Sequence, residues 1–482
     1  MLTFNLNRQG GIKVQLGTDN KVKESPLFKW AQEKKGFKNK SGEVVILSKL
    51  EGQPEVLLGL GDLEELDYEK LRVSFFNLAK ALKKEKEYTV GIHMPDLGLC
   101  GNRSLQAVYE GFAQASYEFT KKTKKEDDQE DQSFIVNYTS DKGREERLKE
   151  GLKHIEAKMD GVFFTRELVN ETSNVIYHET LAERAKELEE FGVKVTVFDE
   201  KEIQEKGMKA FWEVARGSDK PPRFIIMEYF GDEESDQITG LVGKGLTYDS
   251  GGYCIKPPEG MKSMHDDMGG SGTVIGAMKA IAKAGLKTNV VAVVAACENL
   301  ISGHAFKTGD IIGSMKGTTI EVVNTDAEGR ITLADAIYYI TSEYKLSRVI
   351  DLATLTGACL VALAQEYTGA ITNSTEFLDE LRAIGDEQGE KIWQLPISDT
   401  FKEMNKSKVA DLTNSGGRLG GTITAGLFVG AFLADEKLPW IHLDIAGTAY
   451  LGKSRGYLPE RATGVHVKTL FELVNPSKHH HK

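Results

Sequence analysis

The apolar positions of this 482-residue chain follow two periods in turn. Alternating or wholly apolar runs at 43–48, 55–61 and 88–94 predict strands, and three-to-four spacing at 68–83 and 104–119 predicts helices. Strand and helix interleaved in this way predict a first domain, 1–145, in which helices cover a sheet. Leu148, Leu152, Ile155, Met159 and Val162 then recur at helical spacing, so 146–170 reads as a long linker helix. Beyond it, runs at 223–229, 238–243, 289–296, 348–353 and 440–445 are nearly all apolar and of strand length. Helical patterns at 272–284 and 333–344 separate them. Strands this apolar are buried on both faces. The expected fold class is α/β: a smaller N-terminal α/β domain, a linker helix, and a larger C-terminal α/β domain, 171–482, with a central mixed, largely parallel sheet.

Composition narrows the function classes. With 40% hydrophobic and 28% charged residues the chain can bury a large core. A net charge of −11 argues against nucleic acid or an anionic membrane as the main partner. Cys100, Cys254, Cys297 and Cys359 are scattered and form no CxxC, which points to a reducing compartment. No basic-then-apolar segment opens the chain, and no apolar run approaches the ~18 residues of a membrane span. A cytoplasmic protein is expected. The basic-then-acidic block at 121–131 reads as a solvated loop rather than a docking tail. The histidines at 479–481 read as a tag-like or native tail, not as a metal site.

The chemistry gathers in two stretches. Asp326, Glu328 and Arg330 alternate where a β-type run, 319–323, gives way to a helical pattern from Thr332. Alone, such an Asp-x-Glu is an acidic turn with an Asx-type cap. Upstream, however, Lys244, Asp249, Lys256 and Asp267 stand on glycine-rich strand ends, where open α/β sheets form their sites. Four carboxylates converging without compensation would repel and raise one another's pKa. Two divalent cations would cancel four charges, and a carboxylate-bridged metal pair suits hydrolysis by an activated water. Competing motifs fail: the glycines of 243–252 fit neither GxxxxGK[ST] nor GxGxxG, and neither HExxH nor GxSxG occurs. His442 reads as a packed core histidine, and 416–421 as a loop that either lines the site or only turns.

These blocks carry a resemblance. Asn324-Thr-Asp-Ala-Glu-Gly-Arg330, Gly243-Lys-Gly-Leu-Thr-Tyr-Asp-Ser-Gly-Gly252, Thr354-Leu-Thr-Gly-Ala358 and His442-Leu-Asp-Ile-Ala-Gly447 resemble the leucyl aminopeptidase family of two-metal exopeptidases. The likeness runs over 166–473 with few gaps. One departure lies at Asn170-Glu-Thr-Ser-Asn174 and Ile176-Tyr-His-Glu179, where the family usually has prolines that stiffen a turn.

The resemblance implies a set of roles. Asp249, Asp326 and Glu328 would hold one metal, and Lys244, Asp249, Asp267 and Glu328 the other, so Asp249 and Glu328 would bridge. Such donors suit Zn²⁺ or Mn²⁺, with Mg²⁺ and Co²⁺ also compatible. Lys244 must be neutral to ligate, which at pH 7 costs roughly 4–5 kcal/mol that a nearby dication can supply. Lys256 is expected to stay charged, polarise the scissile carbonyl and steady the tetrahedral oxyanion. Arg330 would hold a bicarbonate that accepts a proton from the water. Met264, Asn324, Ala327, Thr354, Leu355, Gly357 and Ala449 would line the pocket for the first side chain, favouring Leu or Met within a broad range. Peptides with a free N-terminus are the expected substrates, and a homohexamer the expected assembly, built with the N-terminal domain. Two alternatives stand beside this: a narrower dipeptidase, for instance for cysteinylglycine, and an additional DNA-binding or scaffold role.

Overall fold

The computed structural model describes residues 2–17, 20–48, 53–119, 133–143 and 145–477. The block at 121–131 and the histidines at 479–481 lie outside them. The chain divides into two compact units, Met1–Met159 with Ser454–Pro459, and Asp160–Lys453 with Glu460–Lys482. The division falls inside one continuous helix, Glu145–Asn170.

The first unit is a six-stranded sheet in the order Thr3–Leu6, Ile135–Ser140, Thr89–Met94, Ile12–Leu16, Glu55–Leu58, Val44–Leu47. All neighbours are parallel except the last pair. Helices Tyr68–Lys84 and Gly101–Ser116 bury Phe75, Leu78, Val108 and Phe112 completely. The patterns at 43–48, 55–61, 68–83, 88–94 and 104–119 correspond to elements, with 101–116 replacing the later helix boundaries. Strands Thr3–Leu6, Ile12–Leu16 and Ile135–Ser140 have no counterpart among the sequence expectations.

The second unit is built on an eight-stranded sheet. Its four central strands, Trp440–Asp444, Arg348–Ala353, Ile238–Asp249 and Asn289–Asn299, run parallel. Thr368–Thr372 flanks them antiparallel on one side, followed by Ile392–Gln394; Arg223–Phe230 and Lys194–Phe198 flank the other. A mixed, mostly parallel sheet results. Every residue of Asn289–Asn299 is buried, as the unbroken apolar run requires. Two strands run further than the apolar pattern indicates: the one read as 238–243 continues to Asp249, and the one read as 289–296 to Asn299. The run at 319–323 shrinks to Ile320–Glu321 and joins a separate three-stranded sheet with Ile311–Ile312 and Leu412–Thr413. The Asp326–Arg330 stretch is thus delivered by this small sheet and not by a strand of the central one.

Helix Gly329–Glu343 is tied down by one buried carboxylate. Asp335 accepts the amide of Phe211 at 2.9 Å and that of Met315 at 2.7 Å. An Asp335→Ala variant strands two buried N–H donors, and a fall of about 3–8 °C in melting temperature is expected. A shift below about 1 °C would refute that role. Where the family's prolines are missing, Tyr177 N donates to Thr180 Oγ1 (2.9 Å) and starts helix His178–Lys186.

Candidate active site

The four parallel strands end side by side, and their ends supply one cluster. Ile238–Asp249 carries Lys244 and ends on Asp249, Asn289–Asn299 ends on Asn299, Thr354 follows Arg348–Ala353, and Trp440–Asp444 ends on Asp444. Lys244 and Asp249 are five residues apart, so regular alternation would turn them to opposite faces. The pairing slips between them: Leu246 faces Cys297 and Tyr248 faces Glu298, leaving Thr247 as an extra residue. This bulge resets the alternation and brings Asp249 to the side of Lys244.

Asp267 precedes helix Gly269–Ala284, whose start lies hard against the strands. A Cβ on Gly270 would stand 2.1 Å from the Leu352 carbonyl oxygen and 2.9 Å from the Lys244 backbone nitrogen, so only glycine permits this approach. Asp326 N donates to Asn324 Oδ1 at 2.9 Å in an Asx turn. Glu328 stands at the N-terminal end of helix Gly329–Glu343 without a side-chain capping bond, where the helix dipole favours negative charge.

Oxygens of Asp249, Asp326 and Glu328 lie within 4.8 Å of one another. Lys244 Nζ stands 2.8 and 2.7 Å from the two Asp267 oxygens and 3.2 Å from Glu328 Oε1. Lys256 Nζ stands 2.7 Å from Asp249 Oδ2 and 2.5 Å from Asp326 Oδ1. The site is short of positive charge. Burial, above all, lifts the Asp267 carboxyl well above its ordinary range, with Asp249 and Glu328 adding to it against the pull of Lys244 and Lys256. Asp326 and Glu328 are raised too, by burial first and by Asp249 next. For Lys244, burial alone would lower the pKa, but Asp267, Glu328 and Asp249 together raise it. Lys256 is raised against burial by Asp249, Glu328 and Asp326. The buried Glu328 Oε2 accepts no hydrogen bond, and Asp267 Oδ2 and Asp326 Oδ1 meet only the lysine ammoniums. An oxygen-rich, acid-rich cluster with an orphaned carboxylate oxygen fits divalent cations.

Arg330 is buried with its Nε unpartnered, and among the described residues no carboxylate comes within ion-pair distance of it. Burial brings its pKa down to about 10, against the opposing influence of Glu328 and Asp444, so it stays charged at neutral pH. A buried, charged and unpaired fork fits a small oxyanion.

Of the expected lining residues, Thr354, Ala449 and Met264 lie beside the cluster's residues. Thr354 Oγ1 donates to Asp267 Oδ1 at 2.8 Å. A Cβ on Gly269 would meet Thr354 Cγ2 at 3.0 Å and Ala449 Cβ at 3.3 Å, so Thr354 and Ala449 stand together at the Asp267 end. The Met264 carbonyl accepts from Asp249 N at 3.2 Å, and Asn324 and Ala327 flank Asp326 in its turn. Leu355 N and Thr356 N donate to Asp444 Oδ1 at 3.3 and 3.4 Å, which sets the loop leading into helix Gly357–Leu363. The segment 416–421 turns the chain into helix Gly421–Gly430, where Thr422 Oγ1 lies 2.9 Å from Thr356 Oγ1. His442 is buried against Asp351, Nδ1 to Oδ1 2.5 Å, as a packed core histidine.

Two residues escaped the sequence reading. Asn299 Nδ2 donates to Asp249 Oδ1 (2.8 Å) and to the Thr325 carbonyl (3.0 Å), joining the two acidic stretches. Asn414 is fully buried and grips the Asp326 turn at four points. Its Oδ1 accepts from Val323 N (2.9 Å) and Asn324 N (3.3 Å), and its Nδ2 donates to the carbonyls of Asn324 (2.6 Å) and Ala327 (3.3 Å). The only signal available for either was a lone asparagine at a strand end.

Comparison with known proteins gives the chain's family. Residues 163–471 match the catalytic domain of the cytosol aminopeptidase family, and 22–125 match that family's N-terminal domain. A probable cytosol aminopeptidase of Treponema denticola is 50% identical over 98% of this chain and 99% of its own length. One from Clostridium perfringens is 47% identical over 92% and 91%. Among solved structures, a mutant of tomato leucine aminopeptidase superposes with a TM-score of 0.86 at 32% identity, covering 98% of this chain and 96% of that one. A bottromycin maturation enzyme in complex with Mn gives 0.84 at 27% identity, covering 99% and 100%. The chain belongs to the cytosol aminopeptidase family of metal-dependent, peptide-hydrolysing enzymes.

Proposed function

We propose that the cluster at the strand ends removes N-terminal residues, Leu and Met foremost, from peptides with a free amine. The observation that carries this is the convergence of Asp249, Asp267, Asp326 and Glu328 on Lys244 and Lys256, with Glu328 Oε2 left unsatisfied. Asp249, Asp326 and Glu328 would hold one divalent ion, and Lys244, Asp249, Asp267 and Glu328 the other, with Zn²⁺ or Mn²⁺ the foremost choices. Bound there, the ions would acidify a water for attack on the carbonyl, and bicarbonate would take up its proton. The chain's own residues do the rest. Lys244 would have to lose its proton to serve as a ligand, which the surrounding carboxylates oppose until a bound ion takes up their charge. Asp267, steadied by Thr354, receives the substrate's α-amine. Lys256 lies across from it and donates to the developing oxyanion. Arg330 holds the bicarbonate in its planar fork. Met264, Asn324, Ala327, Thr354, Leu355, Gly357 and Ala449 enclose the first side chain; Ala449 and Gly357 leave room for an unbranched or γ-branched one.

A cytoplasmic setting agrees with four free cysteines and with the absence, among the described residues, of any helix long and apolar enough to cross a membrane. A homohexamer is supported by large apolar side chains left open to solvent: Val361 is 89% exposed, Leu419 77% and Trp393 53%. Light scattering tests the assembly.

The enzymatic test is hydrolysis of leucine p-nitroanilide by protein stripped of metal and then given Mn²⁺, Zn²⁺, Co²⁺ or Mg²⁺. Activity is expected to vanish on stripping and return with at least one ion. A pure, folded, hexameric protein inert to this substrate and to Leu- and Met-dipeptides with every ion would overturn the reading.

A further inference from the structure

The four carboxylates differ in how firmly their own elements hold them. Asp249 ends a twelve-residue strand of the central sheet, and Asp267 and Glu328 stand at the starts of helices Gly269–Ala284 and Gly329–Glu343. Asp326 instead follows Ile320–Glu321, a strand of two residues in the small sheet, and is half-buried. Thr325 ties this turn to the Asp249 strand end, its Oγ1 donating to the Gly251 carbonyl at 2.7 Å. The tie to the small sheet is Asn414.

Asn414 follows strand Leu412–Thr413, and its backbone N–H donates to the Glu321 carbonyl at 3.0 Å. Its side chain then reaches past that carbonyl to the turn itself. Oδ1 accepts from Val323 N and Asn324 N, and Nδ2 donates to the carbonyls of Asn324 and Ala327. Two acceptor sites and two donors are the full capacity of a carboxamide, so none is left for substrate or ion. Turning the amide over would set donor against donor and acceptor against acceptor, which fixes one orientation. A fully buried side chain committed in this way to the backbone on both sides of Asp326 acts on the site only through that residue's place.

We propose that Asn414 is a positioning residue for one of the two ions: it sets Asp326, and through it the ion assigned to Asp249, Asp326 and Glu328. The other ion, assigned to Lys244, Asp249, Asp267 and Glu328, does not depend on the Asp326 turn. The proposal rests on the two-ion reading above, and it makes the two positions unequal in what holds them.

The test titrates full-length, metal-stripped protein with Mn²⁺, followed by calorimetry and by electron paramagnetic resonance. Wild type is expected to take up two ions per chain and to show the spectrum of a coupled pair. Asn414→Ala keeps one ion within about threefold of wild-type affinity and binds the other about 10–100-fold more weakly, the usual loss when a ligand's supporting partner is removed. At two equivalents its spectrum is that of isolated Mn²⁺. Asp326→Asn weakens the same ion, and adding Asn414→Ala to it costs less than about threefold more, because both changes act through one residue. Asn414→Asp keeps the volume and the accepting oxygen, loses the two donors, and gives the same one-ion loss if Asn414→Ala does not fold. Both ions weakened alike, neither weakened, or full additivity with Asp326→Asn overturns the proposal. So does failure of both Asn414 variants to fold, which makes the residue structural. A folded wild type that does not take up two ions has a different signature: it overturns the two-ion reading, and the role of Asn414 with it.

Discussion

A Gly329→Ala enzyme, fully loaded with metal, is expected to hydrolyse leucine p-nitroanilide about 100-fold more slowly than wild type while melting within a few degrees of it. The reason is steric and local. A methyl group at this position would lie 2.3 Å from Lys244 Cε and 2.6 Å from Nζ. Helical backbone tolerates alanine well, so the main chain need not move. The lysine is the flexible partner, and it must leave the contacts with Asp267 and Glu328 that define its place. A misplacement near 1 Å is enough for a loss of that size. Activity within threefold of wild type would show that Lys244 is not needed where the structure puts it.

Lys256→Met carries the second large effect. With the ammonium gone, kcat is expected to fall by about 10²–10³, the usual consequence of losing one group that stabilises an oxyanion, with a smaller change in KM. Stability gives an independent reading. In metal-free protein Lys256 is the ion-pair partner of both Asp249 and Asp326, so the variant should melt lower than wild type. Once metal ions neutralise the same carboxylates, the two melting temperatures should draw together. A variant that keeps its kcat would remove Lys256 from the chemistry, and a gap that persists after metal loading would make the lysine structural.

The legible and illegible parts of the sequence divide along physical lines. Long apolar runs made the central strands visible because both their faces are buried. The same signal stopped at Gly243, since the glycines, threonine and aspartate beyond it look like a loop, and the bulge at Thr247 leaves no trace in composition. Thr368–Thr372 was invisible for a related reason: Thr-Gly-Ala-Ile-Thr is short and half polar, and its burial comes from the elements around it. The acidic residues and lysines could be picked out because their density is abnormal for glycine-rich strand ends. Asn299 and Asn414 could not, because one asparagine has no periodicity, and its significance lies wholly in which backbone groups it meets. The sheet that carries the Asp326 turn was not legible, because adjacency to a β-type run does not say which sheet that run joins.

The grip of Asn414 has a temporal side. Lys244, Asp249, Lys256, Asp267, Asp326, Glu328 and Arg330 have all been added to a growing chain by residue 330. The asparagine that fixes the Asp326 turn arrives 84 residues after Arg330, and the carboxylate that sets the Thr354–Thr356 loop only at residue 444. A ribosome-bound chain therefore holds every reactive group long before it holds their arrangement. Until Asn414 and Asp444 have been added, the Asp326 turn and the Thr354–Thr356 loop lack the side-chain hydrogen bonds that hold them in the finished chain.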